Sequence, residues 1–256
     1  MKTYNKIHLF LKSFGILVFT SGIFILNFIP FLNLDFWFLV VSAYLMGSVP
    51  YGFLLAKWAG LGNLQELGSG NIGATNALRT GDKYVAALTL LFDFSKGLIV
   101  SFILILALRS EADFENLSFI NDFVIYMISI LVILGHIFPI WLKLKGGKGV
   151  ATALGVLAVC DPYVFGSILA VWFISYKITK TSSMSALIAF VSVSLINFVF
   201  SHFMMTIDQV TESKYWNYIF TQQSAIFVMI IMFIILLSHI KNIMRILKKQ
   251  EDVVVV

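Results

Sequence analysis

The chain of 256 residues is 59% hydrophobic and only 12% charged, with a net charge of +5. A soluble domain has about a quarter charged residues, so this composition excludes an ordinary soluble protein. Apolar runs of about 20 residues recur along the whole chain, which predicts an all-α polytopic membrane protein. The single cysteine, Cys160, excludes an intrachain disulfide and a cysteine-based metal site.

The apolar segments follow one another along most of the chain. They lie at about 9–31, 36–58, 85–108, 120–142, 149–160, 163–178, 183–206 and 217–240. The first is interpreted as an uncleaved helix rather than a signal peptide, since it is long and ends at Pro30 without a small-residue cleavage site. The fifth is too short to cross a bilayer of about 30 Å. Because Asp161-Pro162 follows it, we expect a half-length helix and then a longer one.

The distribution of basic residues predicts the orientation in the membrane. With a cytoplasmic N-terminus and alternating segments, 15 of the 18 Lys and Arg lie on the cytoplasmic side. Only Arg109 and Lys214 lie outside, and Lys96 lies within a segment. This asymmetry follows the positive-inside rule, so we expect both termini to be cytoplasmic.

The segment Lys143–Gly149, called here the basic turn, connects an apolar helix end to the half-length helix. It contains Gly146, Gly147, Lys148 and Gly149 in succession. A turn of this kind is expected to present backbone N–H groups, lysine side chains and a helix N-terminus to one point, which favours phosphate. A solvated basic loop is the alternative; it accounts for Lys143 but not for Gly-Gly-Lys-Gly.

A second glycine-rich segment, residues 68–79, is called here the polar loop and falls on the same predicted side. Its small hydrogen-bonding residues suit a compact polar ligand, and its arginine can bind phosphate through two parallel hydrogen bonds. A flexible loop between helices is the alternative. The candidate ligand-binding residues are Gly68, Ser69, Gly70, Asn71, Thr75, Asn76 and Arg79.

Several polar residues lie in or beside the apolar segments. Asp93 and Lys96 are spaced i, i+3 and are interpreted as a structural ion pair. The segment Gly47–Gly52 is expected to kink its helix where another helix or a ligand comes close. Ser182, Ser183 and Ser185 open the helix 183–206, either as helix caps or as phosphate ligands.

Two histidines lie near predicted helix ends. His136 is interpreted as a hydrogen-bonded interfacial group, whereas His239 is expected to reach the basic face. Neither has a second histidine or an acid at metal-ligand spacing, so no metal site is predicted. There is also no Walker A loop, Gly-x-Ser-x-Gly elbow or His-x4-Asp motif. We therefore expect no cofactor, and a transferase whose donor already carries a good leaving group.

Four blocks of sequence occur in a characteristic order: Gly47–Gly52, Gly68–Arg79, Asp93–Gly97 and Gly135–Thr152. Together they resemble the PlsY family of bacterial acyl-phosphate:glycerol-3-phosphate acyltransferases, from about Trp37 to Leu247. The resemblance implies transfer of a fatty acyl chain from acyl phosphate to the sn-1 hydroxyl of glycerol 3-phosphate, which is the first acylation of bacterial phospholipid synthesis. It also implies a seven-helix core with a cytoplasmic active site, preceded here by an additional helix.

The resemblance also implies which residues form the site. The essential serine and arginine of the family correspond to Ser69 and Arg79, and its phosphate-binding loop corresponds to Gly146–Gly149. Its functional serine corresponds to Ser183 or Ser185, and its C-terminal histidine and asparagine to His239 and Asn242. The family usually has glutamate just before that asparagine, where this chain has Lys241.

The domain organisation and partners follow from the same resemblance. We expect an additional transmembrane helix in residues 1–33, an acyltransferase domain in 34–249 and a short tail in 250–256. The expected partners are acyl phosphate, glycerol 3-phosphate, membrane lipid and the enzyme that forms the acyl phosphate; nucleic acid is not among them. The expected location is the bacterial cytoplasmic membrane.

A transporter of a phosphorylated metabolite is the alternative, although the polar motifs cluster at one surface and no internal repeat is visible.

Overall fold

The computed structural model describes residues 34–108, 118–211 and 221–248. The chain forms two compact units, Met1–Ser42 and Ala43–Val256, and only residues 34–42 of the first are described. The predicted helix 9–31, the predicted tail 250–256 and residues 109–117 and 212–220 therefore lie outside the described residues. Within them, every regular element is a helix, as the composition predicts.

The helices occur in the order expected from the apolar segments. They are α1 (Leu34–Ser48), α2 (Tyr51–Trp58), α3 (Ala74–Leu78), α4 (Lys83–Leu108), α5 (Ser118–Ile137), α6 (Val150–Cys160), α7 (Pro162–Thr179), α8 (Ser182–Thr211), α9 (Gln222–Ser238) and α10 (Ile240–Leu247). Short 3₁₀ turns lie at Leu64–Glu66 and Ile140–Leu142.

Three stretches of the described residues are long and apolar enough to cross a membrane, namely Lys83–Leu108, Asp122–Leu142 and Ser182–Met204. Two bent helix pairs, α1 with α2 and α9 with α10, raise the number to five if each pair counts as one span. The predicted half-length helix is confirmed as α6, which ends at Cys160 before α7 begins at Pro162. The side chain of Asp161 caps α7 by accepting a hydrogen bond from the backbone of Val164.

The predicted kink at Gly47–Gly52 is also confirmed. The chain bends by 40° between α1 and α2, with Pro50 at the break. A Cβ atom on Gly47 would lie 2.2 Å from the carbonyl oxygen of Val132, and one on Gly52 would lie 1.9 Å from that of Ile72. The glycines are therefore required because α5 and the polar loop approach the backbone here.

One bend departs from the predicted segments. The apolar run 217–240 does not continue as one helix, because α9 ends at Ser238 and α10 leaves it at 61°. His239 lies at this bend and is almost completely buried. The helix α8 also continues beyond its predicted end at 206 to Thr211.

The helices α4 and α6 pack with their backbones in close contact. A Cβ atom on Gly97 would lie 2.1 Å from the carbonyl oxygen of Thr152, and one on Gly155 would lie 2.0 Å from that of Phe94. Small residues allow this approach between apolar helices, where dispersion contacts rather than the hydrophobic effect favour association in lipid. The basic turn leads directly into α6 and is thereby attached to a rigid helix pair.

Candidate active site

The polar loop is organised by the side chain of Asn76. Its amide nitrogen donates hydrogen bonds to the carbonyl oxygens of Leu64, Leu67 and Asn71 at 2.7–3.0 Å. Its oxygen accepts from the backbone N–H of Ser69 at 3.1 Å and from the Ser69 hydroxyl at 3.3 Å. Asn76 is only 2% exposed, and its donors bind carbonyl groups of the loop and of the residues just before it. Asn76 therefore holds the loop in shape and orients Ser69.

Arg79 lies directly against Gly68. A Cβ atom on Gly68 would be 2.8 Å from Cδ and 2.8 Å from Nη1 of Arg79, and the glycine has a left-handed φ of 50°. Gly68 thus has two reasons to be glycine: its backbone conformation and the space that the arginine occupies. The structure brings together these two predicted site residues.

The basic turn folds back onto the end of α5. The N–H groups of Gly146 and Gly147 donate to the carbonyl oxygens of Ile137 and His136, each at 3.0 Å. The N–H groups of Leu144 and Lys145 bond to Pro139 and Leu142. The expectation that the turn presents its backbone N–H groups to a ligand is therefore wrong for residues 144–147, because carbonyl groups at the end of α5 and in residues 139–142 accept them.

The end of the basic turn remains suited to an anion. Gly149 has φ of 81° and precedes the first residue of α6, Val150. The first N–H groups of an α-helix have no partner within the helix and carry a partial positive charge. Lys148 lies immediately before this helix start and is half-buried. The helix N-terminus and Lys148 are thus the candidate phosphate-binding elements of the turn.

A hydrogen bond connects the polar loop region to the basic turn. The side-chain nitrogen of Gln65 donates to the carbonyl oxygen of Lys145 at 2.8 Å. Gln65 itself belongs to the short 3₁₀ turn whose Leu64 carbonyl is bound by Asn76. The two glycine-rich segments, which are far apart in sequence, therefore lie side by side.

The bend between α9 and α10 meets the basic turn from another direction. The hydroxyl of Ser238 donates to the carbonyl oxygen of Lys148 at 2.9 Å. The neighbouring His239 has Nδ1 at 2.8 Å from the carbonyl oxygen of Ile235 and at 3.1 Å from the Ser238 oxygen. Asn242 is buried on α10, whereas Lys241 is exposed. His239 is thus joined to Lys148 through one serine.

The serine-rich start of α8 lies beside the polar loop. The hydroxyls of Ser182 and Thr75 are 3.4 Å apart. Ser185 is completely buried, and its hydroxyl donates to the carbonyl oxygen of Thr181 at 2.8 Å and lies 3.0 Å from the hydroxyl of Thr179. The helix start accounts for Ser185. Ser183, with 8% exposure, is less buried and is therefore the better candidate for ligand contact.

The predicted ion pair between Asp93 and Lys96 is confirmed, with Oδ1 and Nζ 2.9 Å apart. The interpretation of His136 as interfacial is wrong, because it is only 4% exposed and its Nδ1 lies 3.4 Å from the same Asp93 oxygen. The residue spacing along α4 predicted the pair. No local pattern placed His136 beside it, since the contact depends on how α4 and α5 pack.

The described residues contain no cluster of three histidine, cysteine or acidic side chains that could hold a metal ion. Among these residues, the predicted site is instead built from amide, hydroxyl and basic groups. The polar loop, the basic turn, the start of α8 and the α9–α10 bend are joined by the hydrogen bonds given above.

The family model for glycerol-3-phosphate acyltransferase matches residues 37–249. The glycerol-3-phosphate acyltransferase of Bartonella quintana (strain Toulouse) is 39% identical over 219 residues, covering 84% of this chain and 90% of that protein. The one from Wolbachia pipientis wMel is 34% identical over 212 residues, covering 83% and 94%. The crystal structure of PlsY, an integral membrane glycerol 3-phosphate acyltransferase, matches in its glycerol 3-phosphate form with a TM-score of 0.68 and 30% identity, covering 84% of this chain and 94% of PlsY. Its lysophosphatidic acid form matches with a TM-score of 0.66.

Proposed function

The chain belongs to the glycerol-3-phosphate acyltransferase family, and from this premise we propose that its acyl donor is acyl phosphate and its acceptor the sn-1 hydroxyl of glycerol 3-phosphate. The predicted resemblance to the PlsY family is confirmed, and the protein is an integral membrane acyltransferase of phospholipid synthesis. The proposed products are 1-acyl-glycerol 3-phosphate, which is a lysophosphatidic acid, and inorganic phosphate.

One observation supports this proposal most strongly: the basic turn is hydrogen-bonded to the rest of the site from two directions. Gln65 reaches the carbonyl of Lys145, and Ser238 reaches the carbonyl of Lys148. Arg79, Lys148 and His239 therefore belong to one connected region. The reaction requires such a region, because it has to hold two anionic phosphates close together.

The chemistry needs positioning more than a nucleophilic side chain. Acyl phosphate is a mixed anhydride, so its phosphate leaves readily. The sn-1 hydroxyl oxygen attacks the acyl carbonyl carbon, the bond from that carbon to the phosphate oxygen breaks, and the hydroxyl proton passes to a phosphate oxygen. Holding two reactants in this geometry can supply about 7–11 kcal/mol of the barrier. Cationic groups and N–H donors stabilise the charge that develops.

The residues divide into those that contact substrate and those that shape the site. We assign Arg79, Lys148 and His239 to phosphate binding. Hydroxyl and amide groups on the polar loop, α8 and α10 hydrogen-bond the acceptor; these are Ser69, Asn71, Thr75, Ser183 and Asn242. The remaining candidates shape the backbone and hold these groups in place; they are Gly68, Gly70, Asn76, Gly146, Gly147, Gly149 and Ser185.

We also propose that the protein lies in the bacterial cytoplasmic membrane with this site and both termini facing the cytoplasm. The asymmetric distribution of Lys and Arg supports the orientation. The enzyme that forms the acyl phosphate is then a partner on the same membrane surface. Reporter fusions at Met1 and Val256 test the orientation, and a periplasmic signal at either end would contradict it.

An assay with purified protein tests the reaction. Acyl phosphate and labelled glycerol 3-phosphate should give labelled 1-acyl-glycerol 3-phosphate, whereas acyl-CoA and acyl carrier protein thioesters should not replace the donor. Positional analysis of the product identifies the acylated hydroxyl. Equal rates with a thioester donor, or acylation at the second hydroxyl, would contradict the finer parts of the proposal.

A further inference from the structure

Three ionisable side chains form a buried cluster between α1, α4 and α5. The carboxylate of Asp93 is 2.9 Å from the ammonium of Lys96 and 3.4 Å from Nδ1 of His136. All three side chains are nearly inaccessible, with exposures of 1–4%. Ionisable groups inside a membrane protein are costly and are commonly tied to function. The proposed function assigns no contact with substrate to any of them.

Lys96 has a structural role, because its side chain binds the backbone at the break between α1 and α2. Its Nζ donates to the carbonyl oxygens of Gly47 and Val49, each at 3.1 Å, and lies 5.4 Å from the ring centre of Tyr51. A helix end in an apolar environment needs donors for its last carbonyls, and Lys96 supplies them. Asp93 then neutralises the charge of Lys96. The charges of Asp93 and Lys96 are therefore balanced without any contribution from His136.

His136 therefore needs a different explanation, and its second ring nitrogen provides one. A Cβ atom built on Gly147 would lie 1.8 Å from Nε2 of His136. The backbone carbonyl of the same histidine accepts the N–H of Gly147 at 3.0 Å. The imidazole thus lies between Asp93 on one side and the basic turn on the other.

We propose, on the basis of the proposed function, that Asp93 and His136 are positioning residues that hold the basic turn and thereby place Lys148 for phosphate binding. Asp93 fixes the imidazole ring, and the ring supports Gly147 immediately before Lys148. The helices carrying the two residues are themselves held by close glycine contacts, Gly135 against Tyr44 and Gly97 against Thr152. Lys96 also holds the Asp93 carboxylate through the ion pair, so the carboxylate that faces His136 is fixed in position.

The rigid support matters because a hydrogen bond from an ammonium to phosphate weakens steeply as its distance and angle depart from the optimum. Displacing Lys148 by about 1 Å would therefore lower the affinity for a phosphorylated substrate by about tenfold or more. Removing the ring leaves an opening beneath Gly147 into which the turn can settle. The ammonium of Lys148 would then be misplaced, although no group that contacts substrate has been changed.

The test compares His136→Ala, His136→Asn and Ser101→Ala with the unchanged enzyme in the acyl phosphate assay. Ser101 is a matched control, because its hydroxyl lies 3.0 Å from that of Ser129 and joins the same helices α4 and α5 away from the turn. Asparagine places a donor near the former Nδ1, on the side that faces Asp93. We expect at least a tenfold rise in KM for a phosphorylated substrate in His136→Ala, with kcat within about threefold, and a smaller rise in His136→Asn.

The outcomes separate this inference from the proposed function. An unchanged enzyme that forms no product contradicts the proposed function itself. If that enzyme is active and His136→Ala matches Ser101→Ala, the positioning role is overturned. A fall in kcat at constant KM also overturns it. If His136→Ala does not fold, His136→Asn decides: a normal KM contradicts the proposal, and a raised KM at nearly full kcat supports it.

Discussion

The side chain of Gln65 donates a hydrogen bond of 2.8 Å to the backbone carbonyl of Lys145. This contact joins the 3₁₀ turn just before the polar loop to the basic turn, which lies in a distant part of the sequence. Gln65 is itself held by the 3₁₀ turn, where its backbone N–H donates to the side chain of Asn63 at 3.0 Å. Gln65 therefore links the residues just before the polar loop directly to the basic turn.

Replacing the side-chain amide of Gln65 tests whether this link matters. A neutral hydrogen bond contributes about 0.5–1.5 kcal/mol net, so Gln65→Ala should lower kcat/KM by roughly 2- to 12-fold. The acyl phosphate assay measures the effect. Gln222→Ala, at an exposed glutamine at the start of α9, is the control and should be neutral. Equal values for both variants would mean that the two loops keep their spacing without this contact.

Lys148 is expected to bind a phosphate group rather than to transfer a proton. It lies immediately before the positive N-terminal end of α6, and hydrogen bonds to charged groups contribute about 1.5–3 kcal/mol. Lys148→Ala should therefore weaken binding of a phosphorylated substrate by roughly 10- to 150-fold. Separate KM measurements for acyl phosphate and glycerol 3-phosphate will identify which phosphate is bound.

Lys143 provides the control for Lys148. It is an exposed lysine of the same turn with a left-handed φ of 52°, a conformation that asparagine tolerates. Lys143→Asn removes one positive charge with little backbone strain and should leave both KM values nearly unchanged. If this variant is impaired as strongly as Lys148→Ala, general attraction to the basic face explains the result better than a specific contact.

Much of the site was predictable because its residues lie in short contiguous blocks. The break at Asp161-Pro162, the kink at Pro50 and the Asp93–Lys96 pair all follow from local rules for proline, glycine and helix spacing. Two features depend instead on contacts between distant residues, namely the bond from Gln65 to Lys145 and the position of His136 beside Asp93. The hydrogen bonds that occupy the N–H groups of residues 144–147 are short-range, but they follow the irregular path of the turn, which residue spacing does not specify.

The bend at His239 was not predictable from the sequence for a different reason. The apolar run continues through Ile240, so hydropathy alone predicts one straight helix across Ser238 and His239. In the structure, the Ser238 hydroxyl bonds to Lys148, and α10 turns away from α9 so that Asn242 is buried. The bend therefore depends on tertiary contacts, which a hydropathy pattern does not predict.

Arg79 and Gly68 should respond together, because the arginine occupies the space where a Gly68 side chain would be. Arg79→Lys keeps the charge but loses the planar group that can make two parallel bonds to phosphate. Gly68→Ala keeps the arginine but should displace it. We expect both variants to raise KM for the same phosphorylated substrate. Gly81→Ala is the control: its φ of 87° is also left-handed, but its Cβ would meet nothing within 4 Å. Impairment of all three would point to general backbone strain.

The activity should not require a metal ion or a nucleotide. The proposed donor is already activated, and the described residues contain no group of three metal-ligating side chains. Treatment of the purified enzyme with a chelator should therefore leave the rate with acyl phosphate unchanged. Loss of activity that one defined divalent ion restores would contradict this prediction.

His239 can act either as the base that accepts the hydroxyl proton or as a phosphate ligand, and kinetics distinguish the two. Its Nδ1 lies 2.8 Å from the carbonyl oxygen of Ile235, so this nitrogen carries a proton. A histidine that is also protonated at Nε2 can donate to phosphate from there. The Ser238 hydroxyl joins His239 to the backbone of Lys148, which we propose binds phosphate. The leaving phosphate can accept the proton itself.

We therefore expect His239→Gln, which retains a donor near the former Nε2, to raise KM several-fold while kcat remains nearly full. His239→Ala should raise KM further. A large fall in kcat at unchanged KM in His239→Gln would instead identify His239 as the base.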